Sequence, residues 1–151
     1  MASVFVYGTL MSPPVVRVLL QREVPMIPAQ LEGYIRHPVL NQVYPGMIRS
    51  SKMTSFVRGC ILPNLSPLEM KLLDYFEGDE YDRATVQVRT AEESVLETTQ
   101  VYLWKSHLIR SVNQDEEWSY ENFCQNHLDW YLKHTVQPCR DEMERLGLTK
   151  E

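Results

Sequence analysis

The apolar positions of the chain change their period several times, and each change marks an element. Val4-Phe5-Val6-Tyr7 is apolar at every position and rich in β-branched and aromatic residues. Such a run predicts a strand buried on both faces, ending at Gly8. Ser12-Pro13 then reads as an N-cap with proline in the first helical turn. A helix is expected from about Pro13 to Gln21, with Val15, Val16, Leu19 and Leu20 facing inward. Gln30 to Ile35 is a candidate strand. Arg36 to Thr54 contains Pro38, Pro45 and Gly46 and reads mainly as loop. Ser55 to Leu62 is a second clear strand, with Gly59 marking a bulge or a close backbone approach.

Ser66-Pro67-Leu68-Glu69 has the form of a capping box, and Leu68, Leu72 and Phe76 follow on one helical face up to Gly78. Tyr81 to Arg89 alternates Ala84, Val86 and Val88 against Arg83, Thr85 and Gln87, the period of a strand with one face inward. Thr98 to Trp104 is another strand. Ser119 can cap a helix in which Trp118 and Phe123 have the spacing of a hydrophobic staple. Tyr120, Phe123, Cys124, His127 and Tyr131 form its inner stripe, with Trp130 beside it. Pro138 should break the pattern, and a last short helix should turn Cys139, Met143 and Leu146 inward before Gly147. The two late strands leave no room between them for a crossover helix. The expectation is therefore α+β, a small mixed β-barrel or sheet with flanking α-helices, rather than a doubly wound parallel sheet.

Composition narrows the function classes. The 151 residues suit one domain spanning 1–151, and 44% hydrophobic with 23% charged residues is a globular balance. The net charge of −5 argues against nucleic acid, which needs a basic face. No run approaches the roughly 18 apolar residues of a membrane helix, so no membrane partner is expected. The first residues lack the basic region of a signal peptide. Three cysteines, Cys60, Cys124 and Cys139, suggest no disulfide framework, so a reducing, cytoplasmic setting is expected.

Two places could carry chemistry. In Tyr7-Gly8-Thr9-Leu10-Met11-Ser12 a buried strand turns sharply into a helix start. Consecutive N–H groups in such a turn favour a carboxylate or phosphate, although the same residues also suit a plain strand-to-helix turn. In the second, Asp74, Glu77, Asp79, Glu80 and Asp82 crowd one turn. Glu77 falls at the expected helix end, where partial negative charge and neighbouring acids disfavour its ionisation. A raised carboxylate pKa suits a general base that must return its proton, whereas a solvated acidic turn with Arg83 pairing one acid is the plainer reading. Cys124 and His127 have metal-ligand spacing but no second pair, and His127 reads as a core-edge residue. Cys60 reads as a small buried hydrophobe. His37 has no orienting partner beside it, and no Gly-x-Ser-x-Gly elbow is present.

These two places occur together in a known family. Val4-Phe5-Val6-Tyr7-Gly8-Thr9-Leu10 resembles the opening strand and loop of the γ-glutamylcyclotransferase-like proteins. Leu73-Asp74-Tyr75-Phe76-Glu77-Gly78 and Tyr81-Asp82-Arg83 resemble the segment that carries their catalytic glutamate, and Tyr44-Pro45-Gly46 fits the stretch between them. Val101-Tyr102-Leu103-Trp104 and Glu117-Trp118-Ser119-Tyr120-Glu121 are most similar to the avirulence-induced-protein-2-like branch known from plants. The resemblance implies a compact mixed barrel with peripheral helices. It implies a substrate cavity between Tyr7, Gly8, Thr9, Leu10, Met11 and Ser12 on one side and Glu77 on the other. It also implies cleavage of a small-molecule γ-glutamyl or ε-(γ-glutamyl) amide to 5-oxoproline and a free amine, with no metal or organic cofactor. Glu80 is the rival to Glu77 in a loose match. A non-catalytic binding or regulatory domain that retains the pocket, or an acyltransferase passing the γ-glutamyl group to another amine, are the alternatives.

Overall fold

The computed structural model describes residues 1–90 and 95–151. Five strands close a barrel: β1 (Ala2–Val6), β2 (Ile27–Glu32), β5 (Phe56–Leu65), β6 (Tyr81–Thr90) and β7 (Leu96–Trp104), in the order β1-β5-β2-β6-β7. All neighbours are antiparallel except β1 and β7, which close the barrel in parallel through Val4–Gln100 and Phe5–Val101. A separate two-stranded sheet pairs β3 (Tyr34–Pro38) with β4 (Pro45–Arg49). Helices α1 (Pro13–Leu20), α2 (Pro67–Glu77), α3 (Tyr120–Asn126), α4 (Leu128–Tyr131) and α5 (Gln137–Arg145) flank the barrel. The fold is α+β, as the order of elements implies. No helix among the described residues is long and apolar enough to cross a membrane.

Strand β1 is buried on both sides because it separates two cores. Phe5 and Tyr7 point into the barrel with Leu31, Met47, Ile61 and Val101. Val4 and Val6 face the helical layer with Val15, Leu19, Leu73, Phe123 and Met143. Gly59 of β5 lies hard against β1, where an added Cβ would stand 2.1 Å from the Val6 carbonyl oxygen. The expected close approach is therefore real, and only a hydrogen fits there.

Several expectations need correction. The candidate strand at 30–35 is two strands in different sheets, divided at Gly33, whose φ is +83°. Most of 36–54 lies outside strands, as expected, but the stretch also completes β3 and holds all of β4, which begins on Pro45-Gly46, two residues that hide a strand from any propensity reading. Ser12 occupies the N-cap position of α1, but its side chain makes no cap bond; its backbone carbonyl takes the Val15 and Val16 N–H groups instead. The helix after Ser119 breaks at His127, and Pro138 does not stop the chain. A π turn over Leu132–Val136 runs directly into α5, and the chain stays helical through Pro138 at their join. Leu146 is exposed rather than inward, lying just past the end of α5.

Other local expectations match the structure. The Ser66–Glu69 capping box is complete, with both reciprocal bonds near 3 Å. Ser119 accepts the Asn122 N–H, and the Trp118 and Phe123 rings stand 5.7 Å apart. Arg140 ties α5 to the end of α1 through the Leu19 carbonyl at 2.8 Å.

Candidate active site

Helix α2 delivers Glu77 as its last residue. Leu72 and Leu73 anchor the helix in the core, and the Gly78 N–H closes it on the Asp74 carbonyl at 3.0 Å. Glu77 keeps some accessible surface, as a residue lining an open cavity must. Enough protein still surrounds its carboxyl that burial, and then the nearby Asp74 charge, push its pKa up to about 8. The plainer reading, an acid paired with Arg83, does not describe Glu77. Arg83 instead grips Asp74 with two bonds at 3.0 and 3.1 Å, and the Tyr102 hydroxyl donates to the same carboxylate at 2.7 Å.

The facing wall is the turn after β1. Tyr7, Gly8, Thr9 and Leu10 line the same cavity as Glu77, whereas Met11 and Ser12 do not. The turn is a single 3₁₀ element, Thr9–Met11, closed by Met11 N–H on Gly8 O and Ser12 N–H on Thr9 O. The N–H groups of Gly8, Thr9 and Leu10 precede those bonds and have no backbone acceptor in the turn, the usual state of a helix start. The turn is held from behind. Arg36 of β3 donates to the carbonyls of Tyr7 and Arg58, lies over the Trp118 ring and contacts the Met11 sulfur. Pro45 of β4 presses on Gly8, where a Cβ would stand 2.9 Å from Pro45 Cγ. Any side chain at position 8 would therefore force the turn or the Pro45 ring to shift.

The cavity measures about 270 Å³ and opens between the barrel end and the helical layer. Five tyrosines line it: Tyr7, Tyr44, Tyr81, Tyr102 and Tyr131. Burial is the largest cause raising each hydroxyl's pKa, and the Glu77 charge adds to all five. Their hydroxyls are spoken for. Tyr7 donates to the Tyr102 carbonyl, Tyr81 to the Pro45 carbonyl at 2.7 Å and Tyr44 to Glu80 Oε1 at 3.3 Å. Tyr131 accepts from Thr9 at 3.5 Å. Phe76, Thr135 and Cys139 complete the helical side. Burial, then Glu142, pushes the Cys139 thiol up to about 11, so it stays protonated at neutral pH.

Sequence reasoning passed over most of this lining. Tyr131 reads as core from its helical spacing, and Thr135 and Cys139 carry no local signal. Tyr44 and Tyr102 appear only inside matched stretches. Glu80 is exposed at the cavity rim. The remaining candidates lie elsewhere: His37 is buried with Nδ1 on the Glu116 carbonyl at 2.6 Å, and Cys60 is half-buried. Among the described residues, no three His, Cys, Asp or Glu side chains are placed to hold a metal ion.

Comparison with known proteins matches residues 4–125 to the family described as Gamma-glutamyl cyclotransferase, AIG2-like. The chain is 35% identical over 136 residues to AIG2-like protein C of Arabidopsis thaliana, covering 87% of this chain and 74% of that protein. It is 34% identical over 155 residues to AIG2-like protein D of the same plant, covering 99% and 94%. A solution structure of an Arabidopsis thaliana protein superposes with a TM-score of 0.66 at 27% identity, covering 97% of this chain and 84% of the other. A structure titled gamma-glutamyl cyclotransferase superposes with a TM-score of 0.62 at 15% identity, covering 97% and 86%, a likeness of fold. By the match over most of its length and by these relatives, this chain belongs to the AIG2-like γ-glutamyl cyclotransferase family.

Proposed function

We propose that the protein cyclises a γ-glutamyl amide to 5-oxoproline and a free amine, with Glu77 as the proton carrier. The observation that carries this reading is one carboxyl, held protonated up to about pH 8, that lines the same cavity as a turn of N–H groups. The substrate's α-nitrogen attacks its own γ-carbonyl carbon. A carbon–nitrogen bond forms in the ring, and the amide carbon–nitrogen bond breaks. The α-ammonium gives up two protons and the leaving nitrogen gains two, so no proton is consumed. Glu77 accepts from the first nitrogen and returns to the second. A carboxyl with pKa near 8 loses and regains a proton with little cost at neutral pH. Because the attack is intramolecular, folding the glutamyl chain in the cavity supplies much of the rate. The Gly8, Thr9 and Leu10 N–H groups suit either the α-carboxylate or the oxyanion that forms at the γ-carbon.

The test is 5-oxoproline release from γ-glutamyl amides by wild type, Glu77→Gln and Glu80→Gln. Glu77→Gln keeps the shape and removes the proton acceptor, so turnover should fall by ~10²–10⁴ with folding intact. Loss in Glu80→Gln alone would move the role to Glu80. A new amide in place of 5-oxoproline would indicate γ-glutamyl transfer, and binding without product a non-catalytic domain.

A further inference from the structure

In this acidic protein Arg17, Arg22, Arg83, Arg89 and Arg140 each hold a carboxylate. Arg36, Arg49 and Arg58 do not: among the described residues, no carboxylate lies within ion-pair distance of any of the three. Each lies over an aromatic ring instead, Arg36 over Trp118 at 5.3 Å, Arg49 over Tyr34 at 5.4 Å and Arg58 over Phe56 at 5.5 Å. A ring takes the face of a guanidinium and leaves its N–H edge able to donate, whereas a carboxylate occupies that edge.

The three rings line one groove. Tyr34 and Arg36 come from β3, Phe56 and Arg58 from β5, and Glu117 and Trp118 from the segment before α3. The groove measures about 340 Å³ and shares no lining residue with the cavity at Glu77. Its one acid is Glu117, against two arginines. Burial lowers the pKa of Arg36, and the exposed Glu117 partly offsets this without reaching ion-pair contact. Arg36 is held in place beforehand. Nη1 makes all of its bonds, to the Tyr7 and Arg58 carbonyls and the Met11 sulfur. Its Nε and Nη2 have no acceptor among the described residues, yet neither is sealed in the interior, so both reach accessible space. Phe56 is 48% exposed and puts apolar ring surface at the mouth of the groove.

We propose that this groove is a second ligand site, for a small phosphate monoester with a flat apolar body, the phosphate held by Arg36 and Arg58 and the body lying against Phe56. A guanidinium edge pairs with two oxygens, so two guanidinium groups call for a head with more charge and more oxygens than one carboxylate has. A phosphate monoester carries about −1.5 to −2 at neutral pH. The site owes nothing to the cyclotransferase reading and stands if that reading fails.

Titration of the full chain with phenyl phosphate, inorganic phosphate and benzoate tests this, followed by nitrogen–proton NMR at the Trp118 indole and the backbone amides. Phenyl phosphate should shift signals of residues 34–36, 54–58 and 117–118 and bind more tightly than either of the others. Arg58→Gln removes one exposed guanidinium and leaves the Arg58 carbonyl that Arg36 uses, so the fold should be unchanged. It should weaken phenyl phosphate binding about tenfold or more, the scale for a hydrogen bond to a charged group. Glu117→Gln removes the opposing charge and should tighten binding about 2–5-fold, as for a charge at an accessible rim. Unchanged affinity in Arg58→Gln overturns the proposal. So do weaker binding in Glu117→Gln, which would mark a cation site, and shifts centred on residues 8–10, which would place the anion at the turn. A response to a short oligoglutamate but not to phenyl phosphate would mark a protein-docking face and overturn it as well.

Discussion

Glu77 holds its proton up to about pH 8 because its carboxyl is buried at the end of a helix beside Asp74. The unfolded chain releases that proton near the ordinary ~4.3. Between those values the folded protein binds one proton more than the unfolded chain, so stability falls as pH rises, and the loss is complete above about 8. Glu77→Gln removes this dependence. At pH 8–9 the variant should be more stable than wild type by ~0.5–2 kcal/mol, the usual scale for relieving a functional site. Thermal melting at pH 5 and pH 8.5 checks it: Tm values should be close at the lower pH and higher for the variant at the upper. A variant less stable at both would make Glu77 a structural partner. The same carboxyl should set an acid limb near pH 8 in kcat/KM of the free enzyme, absent from Glu77→Gln. Asp74→Asn keeps an acceptor for the Tyr102 hydroxyl and deletes the charge, so that limb should move to lower pH. Burial remains the larger cause, so the limb should stay above the ordinary carboxylate range.

At the scale of elements, β1 and its turn depend on two contacts that only glycine allows. Gly59→Ala drives a Cβ into the Val6 carbonyl, a backbone atom that cannot swing away. The strand pair must part, at a cost of ~1–3 kcal/mol or more, and chemical denaturation should report it. Gly8→Ala meets the stiff ring of Pro45 instead. Here the fold should survive while the turn shifts, and a displacement approaching 1 Å would lower kcat/KM about 10²-fold. Thr9→Ser keeps the hydroxyl that reaches Tyr131 and should be mild. The ends of α1 and α2, the capping box and strands β1, β5, β6 and β7 were legible in the sequence, because periodicity and caps are local. So was the pairing of Glu77 with the turn, through the resemblance of two short stretches. The β3–β4 hairpin was not legible: its reason for being a strand lies in Gly8 and Trp104, which Pro45 and Gly46 touch from far along the chain. The cavity wall at Tyr131, Thr135 and Cys139 was hidden for the same reason. Its placement follows from a π turn and from packing against Phe76, neither of which has a short-range signature.

The whole molecule divides its work between a rigid barrel and what leans on it. The barrel and the helical layer share β1, so the two cores meet along one strand, and the cavity opens where that strand ends. The small β3–β4 sheet lies outside the closed barrel, yet it supplies both backings of the turn, Arg36 from one strand and Pro45 from the other. The chain at 111–118 straps this sheet down through Leu40 N–H on Ser111 O, Asn113 N–H on Pro38 O and Trp118 N–H on Arg36 O. A two-stranded ribbon is marginal by itself, so its amides should open to solvent more readily than those of the barrel. Whatever occupies the turn binds only the closed arrangement, and mass action then makes opening rarer in proportion to occupancy. Saturating 5-oxoproline should therefore slow deuterium uptake at the amides of residues 34–37 and 46–49 while leaving β6 and β7 nearly unchanged. Ligand occupancy would thus be readable at backbone amides behind the turn, in a ribbon that reaches the cavity only at Pro45.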